Sequence, residues 1–251
     1  MHGEPSWSYL YRTMIPPLTE AGFRCVAPDL VGFGKSDKPA RTEDHSYQRH
    51  VDWMAAWLEA VDLEHATLFC QDWGGLIGLR LATAFPHRFA RLVVANTGLP
   101  TGDQQMPEAF LRWQTFAAAV QEFPIAAMVD RATLNELSPA ILAGYDAPFP
   151  DETYKAGPRV MPSLVPTRPD DPSADAQREA WQVLMAWDKP VLTTFSDSDP
   201  ITAGGDRVFH KLVPGASGQP HTTIASAGHF LQEDQGPAVA KVVADFHRLT
   251  S

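Results

Sequence analysis

The sequence predicts an α/β fold in which helices cover both faces of a mostly parallel central sheet. Short apolar runs bounded by turn residues alternate with longer segments of helical periodicity, as expected for strand–helix–strand crossovers. The predicted strands are 24–28, 67–71, 91–96, 190–196 and 221–225. The predicted helices are 47–61, 76–85, 178–187 and 238–249.

Residues 100–172 interrupt this alternation. They contain many prolines and no strand-like pattern, so we expect an all-helical cap inserted between two strands of the core. The core would then consist of residues 1–99 and 173–251. A chain of 251 residues is long enough for one such domain with a sizeable core.

Composition excludes several classes of partner. A formal net charge of −10 argues against binding to nucleic acid or to an anionic membrane surface, since both need a basic face. The two cysteines, Cys25 and Cys70, lie in apolar runs and form neither a disulfide framework nor a metal-ligand spacing. No secretory leader or spanning segment is evident, so we expect a soluble cytoplasmic protein.

The clearest chemical motif is the segment from Cys70 to Gly75, which follows an apolar strand and opens a helix. Small residues two before and two after Asp72 are typical of a nucleophile elbow, the sharp turn of α/β-hydrolases. A carboxylate at the tip can attack a carbon that carries a leaving group and form an enzyme ester. The alternative is that Asp72 only caps its own helix.

A base and an orienting acid follow in the order that this fold uses. Asp199 comes after the strand 190–196 and His229 after the strand 221–225, so both lie at the carboxyl ends of strands. Spacing leaves Asp197 open as a rival acid, and His221 is a lesser rival base. The remaining histidines within polar segments are expected to be solvated, namely His45, His50, His65, His87, His210 and His247.

Two further elements would complete such a site. The loop that begins at His2 suits a tight turn, so the main-chain N–H groups of Glu4 and Trp73 would form an oxyanion hole. Buried indole N–H groups suit a departing halide, and Trp73 with Trp113 of the cap are the candidate donors. Trp113 could instead be a packing residue of an amphipathic helix. The other tryptophans are interpreted as packing residues: Trp7, Trp53, Trp57, Trp181 and Trp187.

In this order the motifs resemble those of the haloalkane dehalogenases, in particular their first subfamily with an Asp-His-Asp triad. The matching segments span nearly the whole chain: residues 2–11, 29–37, 71–75, 147–151 and 227–233. The resemblance implies that Asp72 is the nucleophile, His229 the base and Asp199 the triad acid. It also implies Glu4 and Trp73 as oxyanion donors, with Trp73 and Trp113 around the halide.

The resemblance implies a reaction between a small haloalkane and water that yields an alcohol and a halide ion. No metal or organic cofactor is expected, because Gly32 and Gly34 lack the spacing of a dinucleotide loop. The sequence does not specify the preferred substrate or the oligomeric state.

The chain departs from the family pattern at its start. Family members begin with several dozen residues that form the first strands, including one that leads into the His-Gly loop. Either the start of the sequence lies too late, or the protein is a truncated form. Because a missing strand leaves ladder hydrogen bonds unmade, we expect residues 1–251 alone to express poorly or to show little activity.

Two other functions stay open at the level of sequence. An epoxide hydrolase shares the Asp nucleophile and His base, but it needs paired cap tyrosines, for which Tyr145 and Tyr154 are the candidates. A truncated hydrolase fold could also bind a ligand without turnover.

Overall fold

The computed structural model describes residues 1–251 and contains one four-stranded parallel sheet. Its strands are β1 (Ala66–Gln71), β2 (Phe89–Ala95), β3 (Val191–Ser196) and β4 (Thr222–Ile224). They lie side by side in chain order, with all three neighbouring pairs parallel. All four carboxyl ends therefore meet at one edge of the sheet, where residues that follow the strands come together.

Ten helices surround the sheet. They are α1 (Ile15–Glu20), α2 (Tyr47–Val61), α3 (Trp73–Ala84), α4 (Glu108–Ala119), α5 (Ile125–Arg131), α6 (Pro139–Asp146), α7 (Ala156–Leu164), α8 (Ala174–Leu184), α9 (Asp206–Leu212) and α10 (Leu231–Leu249). None of them is both long and apolar enough to cross a membrane.

Helix α2 has the boundaries that the sequence predicts. The hydroxyl of Ser46 accepts a hydrogen bond from the main-chain N–H of Arg49 at 3.2 Å, which caps the first turn. Asp62 ends the helix in the left-handed conformation, with φ 50°. Its apolar side, with Val51 and Leu58, packs into the main hydrophobic cluster.

The prediction of a strand at residues 24–28 is wrong. This segment belongs to no strand, because no neighbouring strand provides a ladder for its N–H and C=O groups. β1 pairs with β2 alone and forms an edge of the sheet. A cavity of about 380 Å³ lies between β1 and residues 23–28.

The expectation that His45 and His50 are solvated is also wrong. Both side chains are buried, and Nδ1 of His45 lies 3.1 Å from Nε2 of His50. Burial, together with the neighbouring His45, lowers the pKa of His50 to about 3. His50 packs near Trp73, and the centres of the two rings are 6.3 Å apart.

Residues 100–172 contain helices α4 to α7 and no strand. These helices share one hydrophobic core with the sheet, because Phe110 and Tyr145 belong to the same buried cluster as Leu92 of β2. Polar contacts add to this packing, because the indole N–H of Trp7 donates to the carbonyl oxygen of Gly144 at 3.1 Å. This contact ties helix α6 of the segment to the N-terminal loop.

Candidate active site

Between β1 and α3 the chain turns sharply at Asp72. The backbone there has φ 51° and ψ −128°, a conformation that residues other than glycine rarely adopt. Two glycines let other segments approach the turn. A Cβ at Gly74 would lie 2.1 Å from the carbonyl oxygen of Met1, and one at Gly75 would lie 2.2 Å from Oγ1 of Thr97. This is the geometry of a strained strand-to-helix elbow with Asp72 at its tip.

The Asp72 carboxylate does not cap its own helix. No side-chain cap hydrogen bond is formed at the start of α3. Instead, Oδ1 accepts a hydrogen bond from the main-chain N–H of Glu4 at 2.7 Å, and Oδ2 lies 3.3 Å from Nε2 of His229. The side chain keeps 20% of its surface exposed, and it lines a cavity. Its geometry is that of a held but accessible nucleophile.

His229 bridges two carboxylates. Its Nδ1 lies 3.0 Å from Oδ2 of Asp199, and its Nε2 faces Asp72. The Asp199 carboxylate is itself fixed, because Oδ1 accepts from the N–H of Ile201 at 2.9 Å and Oδ2 accepts from the hydroxyl of Thr202. A neutral imidazole held this way carries its proton on Nδ1 and exposes a lone pair on Nε2.

The charges around His229 shift its protonation. Burial alone would lower the pKa of His229, but the charges and hydrogen bonds of Asp199 and Asp72 outweigh burial and raise that pKa to about 10. Burial would raise the pKa of Asp199, yet the charge of His229 and the surrounding donors hold it below its usual value. The three groups therefore form one electrostatically coupled unit.

The structure separates the rival residues from this unit. Asp197 accepts from the main-chain N–H groups of Ser226 at 2.9 Å and Ala227 at 3.3 Å, so it braces a loop. The Nδ1 atom of His221 lies 3.0 Å from the main-chain nitrogen of Thr193. Neither residue lines the cavity at Asp72.

The side chain of His2 holds the loop that carries Glu4 in place. The ring of His2 is fully buried, and its Nε2 accepts a hydrogen bond from the main-chain N–H of Leu30 at 2.9 Å. This directs the N–H of Glu4 at the Asp72 carboxylate. Trp73 is the first residue of α3, so its main-chain N–H belongs to the donors that a helix leaves free at its start. Both predicted oxyanion donors thus lie next to Asp72.

The Glu4 side chain has an unusual environment. It is 4% exposed, and its Oε1 has no hydrogen-bond partner. Burial raises the pKa of Glu4 well above its ordinary value, and the Asp72 charge adds to this effect, while the Trp113 indole and His229 oppose it. Trp113 therefore lies near Glu4, and both residues line the same cavity as Asp72.

A cavity of about 910 Å³ opens in front of Asp72. Three tryptophans line it, namely Trp73, Trp113 and Trp181. The indole N–H of Trp181 donates to the carbonyl oxygen of Leu99 at 2.7 Å, so it is already engaged. Sequence reasoning assigned Trp181 to packing and missed its place in the wall.

Several polar residues of the site were not identified from the sequence. Asn96, directly after β2, joins three loops: its main-chain oxygen accepts from the N–H of Asp72 at 3.1 Å, its Oδ1 accepts from the N–H of Ser196 at 2.9 Å, and its Nδ2 donates to the oxygen of His229 at 3.0 Å. Gln71 is buried beside His229. Their positions at the carboxyl ends of strands were the signal that could have identified them.

No tyrosine lines the cavity. The hydroxyl of Tyr145 donates to the carboxylate of Glu233, which also pairs with Arg12. Tyr154 is 42% exposed. The tyrosine pair that epoxide opening would need is therefore not at this site. No group of three or more His, Cys, Asp or Glu residues is arranged to hold a metal ion.

Comparison with known proteins places the chain in a class. A family model described as the alpha/beta hydrolase fold matches residues 1–235. A parallel sheet, an elbow between β1 and α3, and an acid and a histidine after later strands are the features of that class. The chain belongs to the α/β-hydrolase fold family.

Curated relatives narrow this class. A haloalkane dehalogenase of Psychrobacter cryohalolentis is 57% identical over 246 residues, which cover 98% of this chain and 81% of that protein. A haloalkane dehalogenase of Mycolicibacterium paratuberculosis is 53% identical over 248 residues, which cover 99% of this chain and 82% of that protein. Within the fold family, the chain belongs to the haloalkane dehalogenases, hydrolases that act on carbon–halogen bonds.

Solved structures similar to this chain are also haloalkane dehalogenases. The tetrameric haloalkane dehalogenase DpaA from Paraglaciecola agarilytica NO2 superposes with a TM-score of 0.88 at 34% identity, covering 96% of this chain and 80% of that one. The haloalkane dehalogenase DatA from Agrobacterium tumefaciens C58, at 21% identity and a TM-score of 0.83, covers all of this chain and 88% of its own, and shares the fold.

Proposed function

We propose that the protein converts small haloalkanes and water to alcohol and halide through an alkyl ester on Asp72. The observation that carries this proposal is the Asp72 carboxylate itself. It lies at the tip of a strained turn, faces a cavity, and has a buried His229 within 3.3 Å and the Glu4 N–H within 2.7 Å. Membership of the haloalkane dehalogenase family supports the same chemistry.

In the first half-reaction, an oxygen of the Asp72 carboxylate attacks the halogen-bearing carbon from the side opposite the halogen. The new C–O bond forms as the C–halogen bond breaks, and the bonding electron pair leaves with the halide. The product is a neutral alkyl ester of Asp72. Holding the carboxylate through Glu4 limits its motion and favours an in-line approach.

The halide leaves between Trp73 and Trp113. Both line the cavity, and each can offer an indole N–H to an anion in a region with little water. Trp181 does not have this role, because its N–H is bound to a main-chain carbonyl. Ring contacts fix the donors: the centre of Trp73 lies 5.0 Å from that of Tyr47, and that of Trp113 lies 5.8 Å from that of Phe123.

In the second half-reaction, His229 takes a proton from water, which attacks the carboxyl carbon of the ester. Asp199 keeps the Nδ1 proton in place and stabilises the imidazolium that forms. The N–H groups of Glu4 and Trp73 stabilise the negative charge on the carbonyl oxygen of the intermediate. Collapse of the intermediate breaks the bond between the carboxyl carbon and the alkoxy oxygen and regenerates the carboxylate. The departing oxygen takes up the second proton of the attacking water, which gives the alcohol, and the proton on His229 leaves to solvent.

We also propose that residues 1–99 and 173–251 form the catalytic core and that residues 100–172 form a cap that closes the cavity. All four strands lie in the core segments. Residues 100–172, which separate the two core segments, contain only helices and turns. Phe110 and Trp113 of α4 reach the wall of the cavity, so the cap supplies its roof. A helical roof would keep water out during ester formation.

The test is to trap the ester. His229→Phe removes the base but keeps a planar ring, so incubation with 1-bromobutane should leave a butyl group on the protein. We expect intact-mass analysis to show one added C4H8 unit, and peptide mapping to locate it on Asp72. His221→Phe is the matched control, because that histidine lies outside the cavity and its loss should leave turnover in place.

Two results would contradict the proposal. An unmodified His229→Phe protein that releases no halide would exclude an ester on Asp72. An adduct that persists in Asp72→Asn would place the nucleophile elsewhere. Release of halide from 1-bromobutane without opening of styrene oxide separates this activity from epoxide hydrolysis.

A further inference from the structure

Gln71 is the last residue of β1, but its side chain reaches the base on another segment. It is fully buried. Its Nε2 lies 3.1 Å from Nε2 of His229 and 3.2 Å from the main-chain oxygen of the same residue. Its Oε1 accepts from Nε2 of Gln232 at 3.4 Å. A buried amide thus contacts the atom that must act as the base.

The orientation of this amide follows from its partners. A main-chain carbonyl oxygen only accepts hydrogen bonds, so the atom that faces it must be the NH₂ group of Gln71. One hydrogen of that group points to the carbonyl oxygen, and the other is free to point to Nε2 of His229. Nε2 must then offer its lone pair. Because Nδ1–H donates a hydrogen bond to Asp199, both neighbours select the same neutral tautomer, with the proton on Nδ1.

The charged groups around the ring act in the opposite direction. Asp72 and Asp199 face His229 directly, and Glu4 lies close enough to interact with it electrostatically. Negative charge on these groups favours the imidazolium, whereas a donor at Nε2 favours the neutral ring. A hydrogen bond from Gln71 to Nε2 lowers the pKa of His229, as burial does, whereas the carboxylates raise that pKa.

We propose that Gln71 is a positioning residue that favours the neutral, Nδ1-protonated form of His229 and so keeps Nε2 unprotonated, as a base for ester hydrolysis must be. This inference rests on the role proposed above for His229. The amide neither gains nor loses a proton in the cycle. When water gives its proton to Nε2, the new N–H faces the NH₂ group of Gln71, and this unfavourable contact promotes release of the proton to solvent.

The proposal predicts different effects on the two half-reactions. Gln71→Met removes the donor at similar volume, and Gln71→Glu replaces it with an acceptor that would stabilise the imidazolium. Ester formation needs only the Asp72 carboxylate, so the first-turnover burst of bromide from 1-bromobutane should remain in both variants. The pH-dependence of ester hydrolysis should change, because hydrolysis requires unprotonated His229.

The expected shift of the apparent pKa for ester hydrolysis depends on which contact each variant changes. The apparent pKa for ester hydrolysis should rise by about one unit in Gln71→Met, the scale of one neutral hydrogen bond. It should rise by about two units or more in Gln71→Glu, the scale of a close opposite charge. The rising limb of the rate–pH profile then moves to higher pH, and hydrolysis at pH 7 slows about tenfold and about a hundredfold, respectively.

Gln177→Met is the matched control, since Gln177 is also fully buried but donates to the hydroxyl of Tyr47, away from the base. It should lower the melting temperature without moving the profile. Quenched-flow measurement of bromide and alcohol in all four proteins decides the matter. Unchanged profiles in both Gln71 variants, or an equal loss of burst and hydrolysis, would overturn the inference. A wild-type protein that releases no bromide from 1-bromobutane would instead refute the proposed function.

Discussion

Gly3→Ala is the sharpest steric test of the site. A Cβ at this position would lie 2.2 Å from Oδ1 of Asp72 and 2.3 Å from its Cβ. Restoring an ordinary contact of 3.4 Å requires the two segments to separate by the difference, about 1.2 Å. The hydrogen bond from the N–H of Glu4 to Oδ1, now 2.7 Å, would then exceed hydrogen-bond length.

This displacement should lower the reaction rate in two ways. A reacting group misplaced by about 1 Å loses on the order of 10²-fold in rate, and loss of one oxyanion donor costs about 10²- to 10³-fold. We therefore expect kcat for 1-bromobutane, followed by bromide release, to fall by at least about 10²-fold in Gly3→Ala. Thermal melting measured in parallel shows whether the variant is folded.

Gly98→Ala provides the comparison. It lines the same cavity, but a Cβ there would meet no heavy atom within 4 Å. We expect its kcat to stay within a few-fold of the wild type. A folded Gly3→Ala protein with the same small effect would refute the reasoning, because the Asp72 carboxylate would then tolerate displacement from its donor.

Three further predictions concern charge and hydrogen bonding. Asp199→Asn should slow ester hydrolysis by on the order of 10³- to 10⁴-fold and leave the first-turnover bromide burst, as quenched-flow kinetics would show; loss of the burst would contradict this. Trp113→Phe should weaken bromide binding by about 10- to 100-fold, measured by fluorescence quenching, whereas Trp181→Phe should not; equal effects would contradict the assignment. His50, whose pKa is lowered to about 3 by burial, must be neutral in the fold, so folding loses stability as pH falls below the unfolded pKa of about 6.5. This loss is about 2 kcal/mol at pH 5, and denaturant unfolding of His50→Phe should lack that part of the pH-dependence; identical pH-dependence in the two proteins would refute it.

Elements with local signals were predictable from the sequence. Helix α2 carries its own cap at Ser46 and its own stop at Asp62, so both boundaries were predicted. Helix α10 was predicted only from residue 238, one residue after Pro237. The structure begins it at Leu231 and absorbs the proline at a kink, where Gln235 has non-helical backbone angles. The first turn therefore depends on tertiary packing that the local pattern does not report.

Features that depend on partners distant in sequence were not predictable. Residues 24–28 have a strand-like composition but form no ladder, since pairing needs a neighbour. His45 and His50 lie in polar stretches and are nevertheless buried, because the chain folds them behind Trp73.

The candidate site was largely predictable because parallel strands bring their carboxyl ends together. Asp72, Asp199 and His229 follow three different strands, and this rule places them at one edge of the sheet. The rule cannot distinguish Asp199 from Asp197, two residues apart. That distinction comes from the main-chain N–H groups of Ser226 and Ala227, which bind Asp197, whereas Asp199 lies beside Nδ1 of His229. The role of each residue in turnover stays a prediction.

The high pKa of His229 agrees with its proposed role as a base once the order of the two proposed half-reactions is considered. A pKa of about 10 belongs to the state in which Asp72 carries its charge. Ester formation removes that charge, and loss of one adjacent carboxylate lowers a pKa by about 1 to 3 units. Burial and the Gln71 donor then act against Asp199 alone. In the proposed mechanism, the first half-reaction therefore releases the base that the second requires, and we expect water to be activated only when an ester is present to be hydrolysed.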